Sequence, residues 1–306
     1  MAARFILSLD CEGRWGVADC LGRRERRLLT DRSLQSAYHS ILSLLDEYSL
    51  PATFAFVGLF GETPGNFRKL RAEVELLAER QPNYLAPALR DIDESGGDGW
   101  HGNWAVEAVG SARTDHEIAL HGITHVPWGK VDRDFAAAEL ALHPRLSSRV
   151  RFARTFVAPR NEVAHTDLLT SIAIEGYRAE PIGQSRAWSF LAEFNVWQGP
   201  QRDLSNPGSA PLPIPSGYFV NWQHGLRRLV PISVSCLRLE HMLATAARRS
   251  EIVHLWLHPE NVATEPSTLE LLQRMIGVVS RQRDAGTCEV MTQLDYVQSR
   301  QNPTAR

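Results

Sequence analysis

The chain has 306 residues with 33 basic and 35 acidic side chains, so its formal charge is −2. Near-neutral charge argues against a chain built to bind nucleic acid, and 43% apolar with 22% charged residues argues against wholesale disorder. No apolar run reaches the roughly 18 residues that a membrane span requires, and the length suits one barrel-sized domain or two smaller ones.

Taken in chain order, Arg4–Asp10 reads as a first strand, not a signal peptide. Asp31–Tyr48 follows with helical spacing of Leu34, Tyr38, Ile41, Leu42 and Leu45, and Asp31 is placed to cap it. Ala52–Val57 is β-rich, and Asn66–Arg80 has helical spacing again. Strands are expected at Glu117–His121, Arg154–Ala158, Gly176–Ala179, Val230–Val234, Ile252–Leu257 and Cys288–Met291. Helices are expected at Phe135–Leu142, Glu162–Ala173 and Leu269–Arg283. Strands alternating with helices point to an α/β fold with a parallel sheet or barrel. A single domain over residues 1–300 is the expectation, with a short disordered tail at 301–306. Two stretches break the repeat. Residues 84–113 carry Gly96-Gly97-Asp98-Gly99 and two tryptophans, and residues 181–217 are rich in proline. Both read as insertions, and long insertions in a compact domain are often functional.

Four cysteines, Cys11, Cys20, Cys236 and Cys288, form no C-x-x-C pair, which fits reduced thiols and a cytoplasmic chain.

Four constellations carry chemistry, and each ends an expected strand. Asp10 and Glu12 alternate with Cys11, so the two carboxylates share a face and Cys11 takes the other. Alone, such a pair also suits a solvated loop. His121 and His125 have H-x₃-H spacing, which can bring two imidazoles together as divalent-metal ligands, although such a pair is also common by chance, and the H-E-x-x-H signature is absent. Pro159-Arg160-Asn161 puts an Arg where it can orient a carboxylate by bidentate bonds, although a surface Arg is the ordinary alternative. His254, Trp256 and His258 share one face of their strand. A His there suits a general acid or a packed, hydrogen-bonded side chain. Barrel active sites are assembled from the C-terminal ends of several strands, so the coincidence outweighs each motif.

The order Asp10-Cys11-Glu12-Gly13, His121-Gly122-Ile123-Thr124-His125, Ala158-Pro159-Arg160-Asn161 and Leu257-His258-Pro259-Glu260-Asn261 resembles the polysaccharide deacetylases, the NodB-homology carbohydrate esterases of family 4. Ala52–Phe56 and His116-Glu117-Ile118 look like that family's second and third strands, and the resemblance spans roughly residues 4–295. Asp10-Cys11-Glu12 departs from the commoner pair of adjacent Asp residues and is similar to a D-x-E branch associated with bacterial O-antigen or capsule biosynthesis. A fourth motif is placed only provisionally, near Tyr218–Trp222.

The resemblance implies a distorted (β/α)₇ barrel of the NodB type with loop or helical insertions, hydrolysing an N-acetyl group from an amino sugar or sugar precursor. Glu12, His121 and His125 would hold one divalent metal ion, zinc before cobalt, nickel, iron or manganese. Asp10 would be the general base, Arg160 its orienting partner and His258 the general acid. His101, Trp104, Trp128 and Asn161 are the expected substrate contacts, with Trp100 and Trp222 also in the loops expected to shape a sugar pocket. The substrate is expected to be a small carbohydrate or a nucleotide- or lipid-linked sugar, with no nucleic acid partner. Two other readings stay open. One is a deformylase or cyclic-amide hydrolase of the same superfamily. The other is a non-catalytic sugar-binding relative, kept alive by Cys11 where Asp is commoner.

Overall fold

The computed structural model describes residues 2–181, 193–201 and 209–301. Nine strands among them form one parallel sheet: β1 (Ala3–Cys11), β2 (Thr53–Phe56), β3 (Glu117–Leu120), β4 (Thr155–Val157), β5 (Gly176–Arg178), β6 (Leu212–Ile214), β7 (Tyr218–Phe219), β8 (Ile252–Leu257) and β9 (Cys288–Val290). The spatial order is β6-β5-β4-β3-β2-β1-β8-β7, with β9 on β1 beside the start of that strand. Helices surround this curled sheet: α1 (Arg23–Leu28), α2 (Asp31–Glu47), α3 (Pro64–Arg80), α4 (Pro82–Ser95), α5 (Asn103–Gly110), α6 (Arg133–Leu140), α7 (Ile232–Arg249), α8 (Pro259–Thr264), α9 (Ser267–Asp284) and α10 (Gln293–Gln301).

The pleat of β1 explains its two faces. Phe5, Leu7, Leu9 and Cys11 join the main apolar core, which includes Leu34, Tyr38, Ile41 and Leu45 of α2. Ile6, Ser8 and Asp10 take the other face, toward the barrel interior. Cys11 is therefore a core residue, fully buried, and burial pushes its thiol well above the usual range. Helix α2 is capped by Thr30, whose hydroxyl accepts from the Ser33 amide, whereas Asp31 accepts from the Gly99 amide. The cap thus falls one residue earlier than expected.

The bottom of the barrel is closed by α10. The Gln293 amide donates to Thr53 Oγ1 (2.9 Å) and the Leu294 amide to Glu117 Oε2 (3.0 Å). Tyr296 and Val297 pack among Ile6, Leu212, Ile214 and Ile252. A plugged lower end leaves the C-terminal ends of the strands as the open mouth.

Several expectations are corrected. Val230–Val234 is not a strand: Pro231 precedes α7, and Ser235, Arg238, Leu239, Met242, Leu243 and Ala246 make its buried stripe. Residues 162–173 form only a 3-10 segment, Thr166–Ile172, bounded by left-handed His165 and Ala173. Residues 84–113 are largely helical, contributing most of α4 and all of α5. Strands β6 and β7, two or three residues long and flanked by proline and glycine, carry too short a pattern to read as strands in the sequence. Part of the 181–217 stretch, and residues 302–306 of the expected tail, lie outside the described residues.

Candidate active site

Glu12, His121, His125 and His258 converge at the mouth. Glu12 Oε1 lies 3.0 Å from His121 Nε2, 2.9 Å from His125 Nε2 and 3.4 Å from His258 Nε2. Two turns produce this. Gly122, at φ 68°, lies two residues past the end of β3, and a Cβ there would meet Pro159 Cγ at 2.7 Å. His125 itself is left-handed, at φ 63°. The loop between them is pinned from below by Glu139 of α6, which accepts from the amides of Ile123 and Thr124, from Thr124 Oγ1 and, at 2.6 Å, from Trp128 Nε1. Burial raises the Glu139 carboxyl, and those four donors oppose the rise.

The donor set fits a cation. His121 Nδ1 is 2.9 Å from the Val157 carbonyl while its Nε2 faces Glu12. A neutral imidazole has one N–H, so with Nδ1 donating to Val157 its Nε2 lone pair opposes a carboxylate oxygen. Burial lowers His125 although Glu12 pulls the other way, and the net lowering favours its neutral ring. A divalent ion among these atoms converts the opposition into ligation, and a backbone acceptor behind a ligating His is the common arrangement. Asp10, Glu12 and His258 form a second cluster of possible ligands. Both Asp10 oxygens, however, already accept from an Arg, so Glu12, His121 and His125 are the better set.

That Arg is not Arg160. Arg178 Nη1 donates to Asp10 Oδ1 at 2.8 Å and Nη2 to Asp10 Oδ2 at 2.6 Å, with both side chains fully buried. Burial alone would raise Asp10, but the charge and hydrogen bonds of Arg178 and the charge of His258 bring it below its ordinary value, so it is ionised at neutral pH. Arg178 also donates to Ser8 Oγ and to Asn161 Oδ1, and its guanidinium lies over the Trp256 ring, 4.8 Å from the centroid. Ser8 continues to His254 Nε2 (2.9 Å), whose Nδ1 meets the Pro215 carbonyl (2.6 Å). Burial and the Arg178 charge push His254 down to about 3, so it is a neutral link in this chain. Arg160 turns away at φ 57°, pairs with Asp19 and lies over the Tyr84 ring.

His258 caps α8, with its amide and Nδ1 both against Asn261 Oδ1. Burial opposes its charge, yet Glu12, Asp10 and Glu260 lift it to about 9. Glu260 accepts from the amides of Glu12 and Gly13 and so ties the turn that carries Glu12. Burial and the Glu12 charge push Glu260 up to about 7.

A cleft of about 1450 Å³ opens over these groups, lined by Asp10, Glu12, His125, Asn161, His258 and the aromatic residues Tyr218, Phe219, Trp222 and Trp256. The aromatic wall therefore comes from β7, the turn after it and β8. Trp100, Trp104 and Trp128, expected in the sugar pocket, are not among the residues that line the cleft. Trp128 is wholly buried on Phe156, Trp104 donates to the His101 carbonyl and packs edge-on against Tyr38, and Trp100 donates to Asp91. His101 is buried beside Phe67, and burial pushes it down to about 4.

No protein-family model matches the sequence, and no curated protein does. Solved structures match over almost the whole chain. A protein from Mycobacterium smegmatis assigned as a polysaccharide deacetylase superposes with a TM-score of 0.53 at 15% identity, covering 100% of this chain and 92% of that one. A second such protein, from Pseudomonas aeruginosa, gives 0.55 at 10% identity, covering 99% and 92%. The fold is the NodB-type barrel of the polysaccharide deacetylases. An allantoinase, Puue, shares it, with a TM-score of 0.56 at 12% identity, covering 99% and 91%. At such identities the likeness establishes the barrel, and the chemistry rests on the side chains at its mouth.

Proposed function

We propose that the chain is a metal-dependent amide hydrolase that removes an N-acetyl group from an amino sugar or sugar precursor of a surface polysaccharide. The observation that carries this is the convergence of Glu12, His121 and His125 beside a buried Asp10–Arg178 pair and a cationic His258. An amide is a poor electrophile and water a poor nucleophile at neutral pH. A divalent ion held by Glu12, His121 and His125 would acidify water and polarise the amide carbonyl. Zinc heads the candidates for this two-His, one-carboxylate set, before cobalt, nickel, iron or manganese.

The chain's own groups supply the rest. Asp10, kept ionised and oriented by Arg178, accepts the proton of the attacking water. His258 carries a proton on the side facing Glu12 and the cleft, and donates it to the departing nitrogen, which cannot leave as an amide anion. Each acid or base role is worth about 10²–10⁴ in rate. Cys11, buried away from the site, leaves the acid, base and ligand set intact, which speaks against the non-catalytic relative. Trp222, Tyr218 and Phe219 offer rings on which a pyranose can stack. The small carbohydrate, free or linked to a nucleotide or lipid, would lie along them, with Asn161 near the reacting end.

Metal analysis of the purified protein beside Glu12→Ala and His121→Ala tests the reading. About one divalent ion per chain, lost in both variants, together with acetate release from N-acetylated amino sugars, is the expected result. A protein that takes up no zinc or cobalt overturns it. The match to the allantoinase favours one second reading, hydrolysis of a cyclic amide. Ring opening of a cyclic amide with no acetate release would establish that instead.

A further inference from the structure

Seven large apolar side chains are exposed among the described residues, and five of these, Phe194, Trp197, Leu226, Leu229 and Leu237, belong to segments that meet beside the cleft. They are linked in space. Trp197, 74% exposed, packs edge-on against His241, one turn of α7 beyond Leu237. Glu193, next to Phe194, binds both Arg227 and Arg238. Leu226 and Leu229, 71% and 66% exposed, flank Arg227 and Arg228 in the single turn Gly225–Leu229. That turn borders the cleft, since Trp222 and Arg227 line it together with Gln198 and Tyr218. Monomeric soluble surfaces seldom gather exposed apolar groups this way, and such gatherings mark interaction sites.

The charge around the patch selects the partner. Arg228 is exposed within the turn. Arg24 of α1 reaches His224 at the start of the turn, which brings the run Arg23-Arg24-Glu25-Arg26-Arg27 alongside. Arg24 is shared with Glu25 and Glu265, and Arg26 is held by Asp91. Arg23, Arg27 and Arg228 are exposed and in no ion pair among the described residues. We propose that this face docks on an anionic lipid surface, with the cleft mouth beside the bilayer. Leu226, Leu229 and Trp197 would enter the headgroup layer while the arginines meet the lipid phosphates, the pattern of interfacial binding. A second copy of the chain fits worse: two-fold contact sets a patch against itself and brings like-charged arginines together. No helix among the described residues is long and apolar enough to cross a membrane, so docking would be on the surface.

Sedimentation of the intact chain with vesicles tests this without reference to catalysis. Phosphatidylcholine vesicles with and without phosphatidylglycerol are compared for wild type, Leu226→Glu/Leu229→Glu and Arg23→Glu/Arg27→Glu. The expected result is salt-sensitive binding to the anionic vesicles, at least tenfold weaker for both variants, with metal content unchanged because none of the four residues lines the site. No binding to anionic vesicles, or equal binding by the variants, overturns the proposal. So does a dimer in size-exclusion chromatography that Leu226→Glu/Leu229→Glu converts to monomer without any vesicle binding.

Discussion

Gly16 lies directly against the carboxylate of Glu12: a Cβ at position 16 would stand 1.7 Å from Glu12 Oε2 and 2.7 Å from its carboxyl carbon. The absence of a side chain at Gly16 lets Glu12 turn toward His121 and His125. The group that would yield is the end of a flexible side chain and not the backbone, so a methyl displaces the carboxylate at little cost to the fold. Gly16→Ala is therefore expected to weaken divalent-metal affinity about 10–100-fold, the usual scale for a disturbed ligand environment. The melting temperature of the metal-free protein should stay within about 2 °C. Titration calorimetry with zinc and a thermal melt read the two effects separately. Unchanged zinc affinity would remove Glu12 from the ligand set.

Asp10 and Arg178 reach each other across the barrel because the intervening strands present small side chains at that layer. The register aligns Asp10 with Ala55 and Ala55 with Ala119, and Val157 with Arg178. Ala55, Ala119 and Val157 pack as a buried cluster of their own. Asp10→Asn keeps the shape but cannot accept the water proton, so kcat should fall about 10²–10⁴-fold with metal content unchanged. Arg178→Met leaves the Asp10 charge buried without its partner and should destabilise the protein by about 3–5 kcal/mol in urea unfolding. Loss of the metal from Asp10→Asn would overturn the division of roles between Asp10 and Glu12.

The candidate ligands were legible in sequence because chemistry-bearing residues close their strands at turns marked by Gly and Pro. Asp10, Glu12, His121, His125 and His258 stand together as that pattern implies. Arg178 was not legible. It ends a three-residue strand in a chain whose 33 basic residues include only two lysines, and its partner is set by pleat and register across five strands. Arg160 occupied the sequence position that suits a carboxylate partner, but its left-handed backbone swings the side chain to Asp19. The tryptophans misled for a related reason. An indole has a large apolar body and one donor, and sequence does not reveal that Asp91, the His101 carbonyl and Glu139 wait inside for those donors.

Glu139 makes the histidine loop sensitive to a residue outside the cleft. Trp128→Phe keeps an aromatic ring against Phe156, removes the indole donor to Glu139 Oε2 and leaves a small void where the larger ring was buried. A buried carboxylate oxygen losing its partner costs about 1–3 kcal/mol, more where the group is charged. Because the same carboxylate holds the Ile123 and Thr124 amides, zinc affinity should fall as well, by about tenfold. Glu139→Ala, losing all four acceptor bonds, should bind zinc more weakly than Trp128→Phe. Equal, wild-type affinity in both variants would show that the loop needs no anchor.

Two buried histidines, His101 and His254, and the half-buried His116 make the fold less stable in acid. Burial pushes His101 and His116 down to about 4 and His254 to about 3, against roughly 6.5 in the unfolded chain. Their folded pKa values are depressed, so the unfolded state binds the extra protons. The stability that these groups support is complete above about pH 6.5 and drains as pH falls toward 4, by about 1.4 kcal/mol per pH unit for each group. Urea unfolding of the metal-free protein between pH 7 and 4.5 should show this decline. His254→Gln loses packing and the bond from Ser8, lowering stability at pH 7, but it also removes one titrating group. Its decline below pH 6 should be shallower than wild type by about one proton's worth. Parallel slopes in the two proteins would mean that His254 is already charged in the folded state, and the neutral link between Ser8 and the Pro215 carbonyl would have to be abandoned.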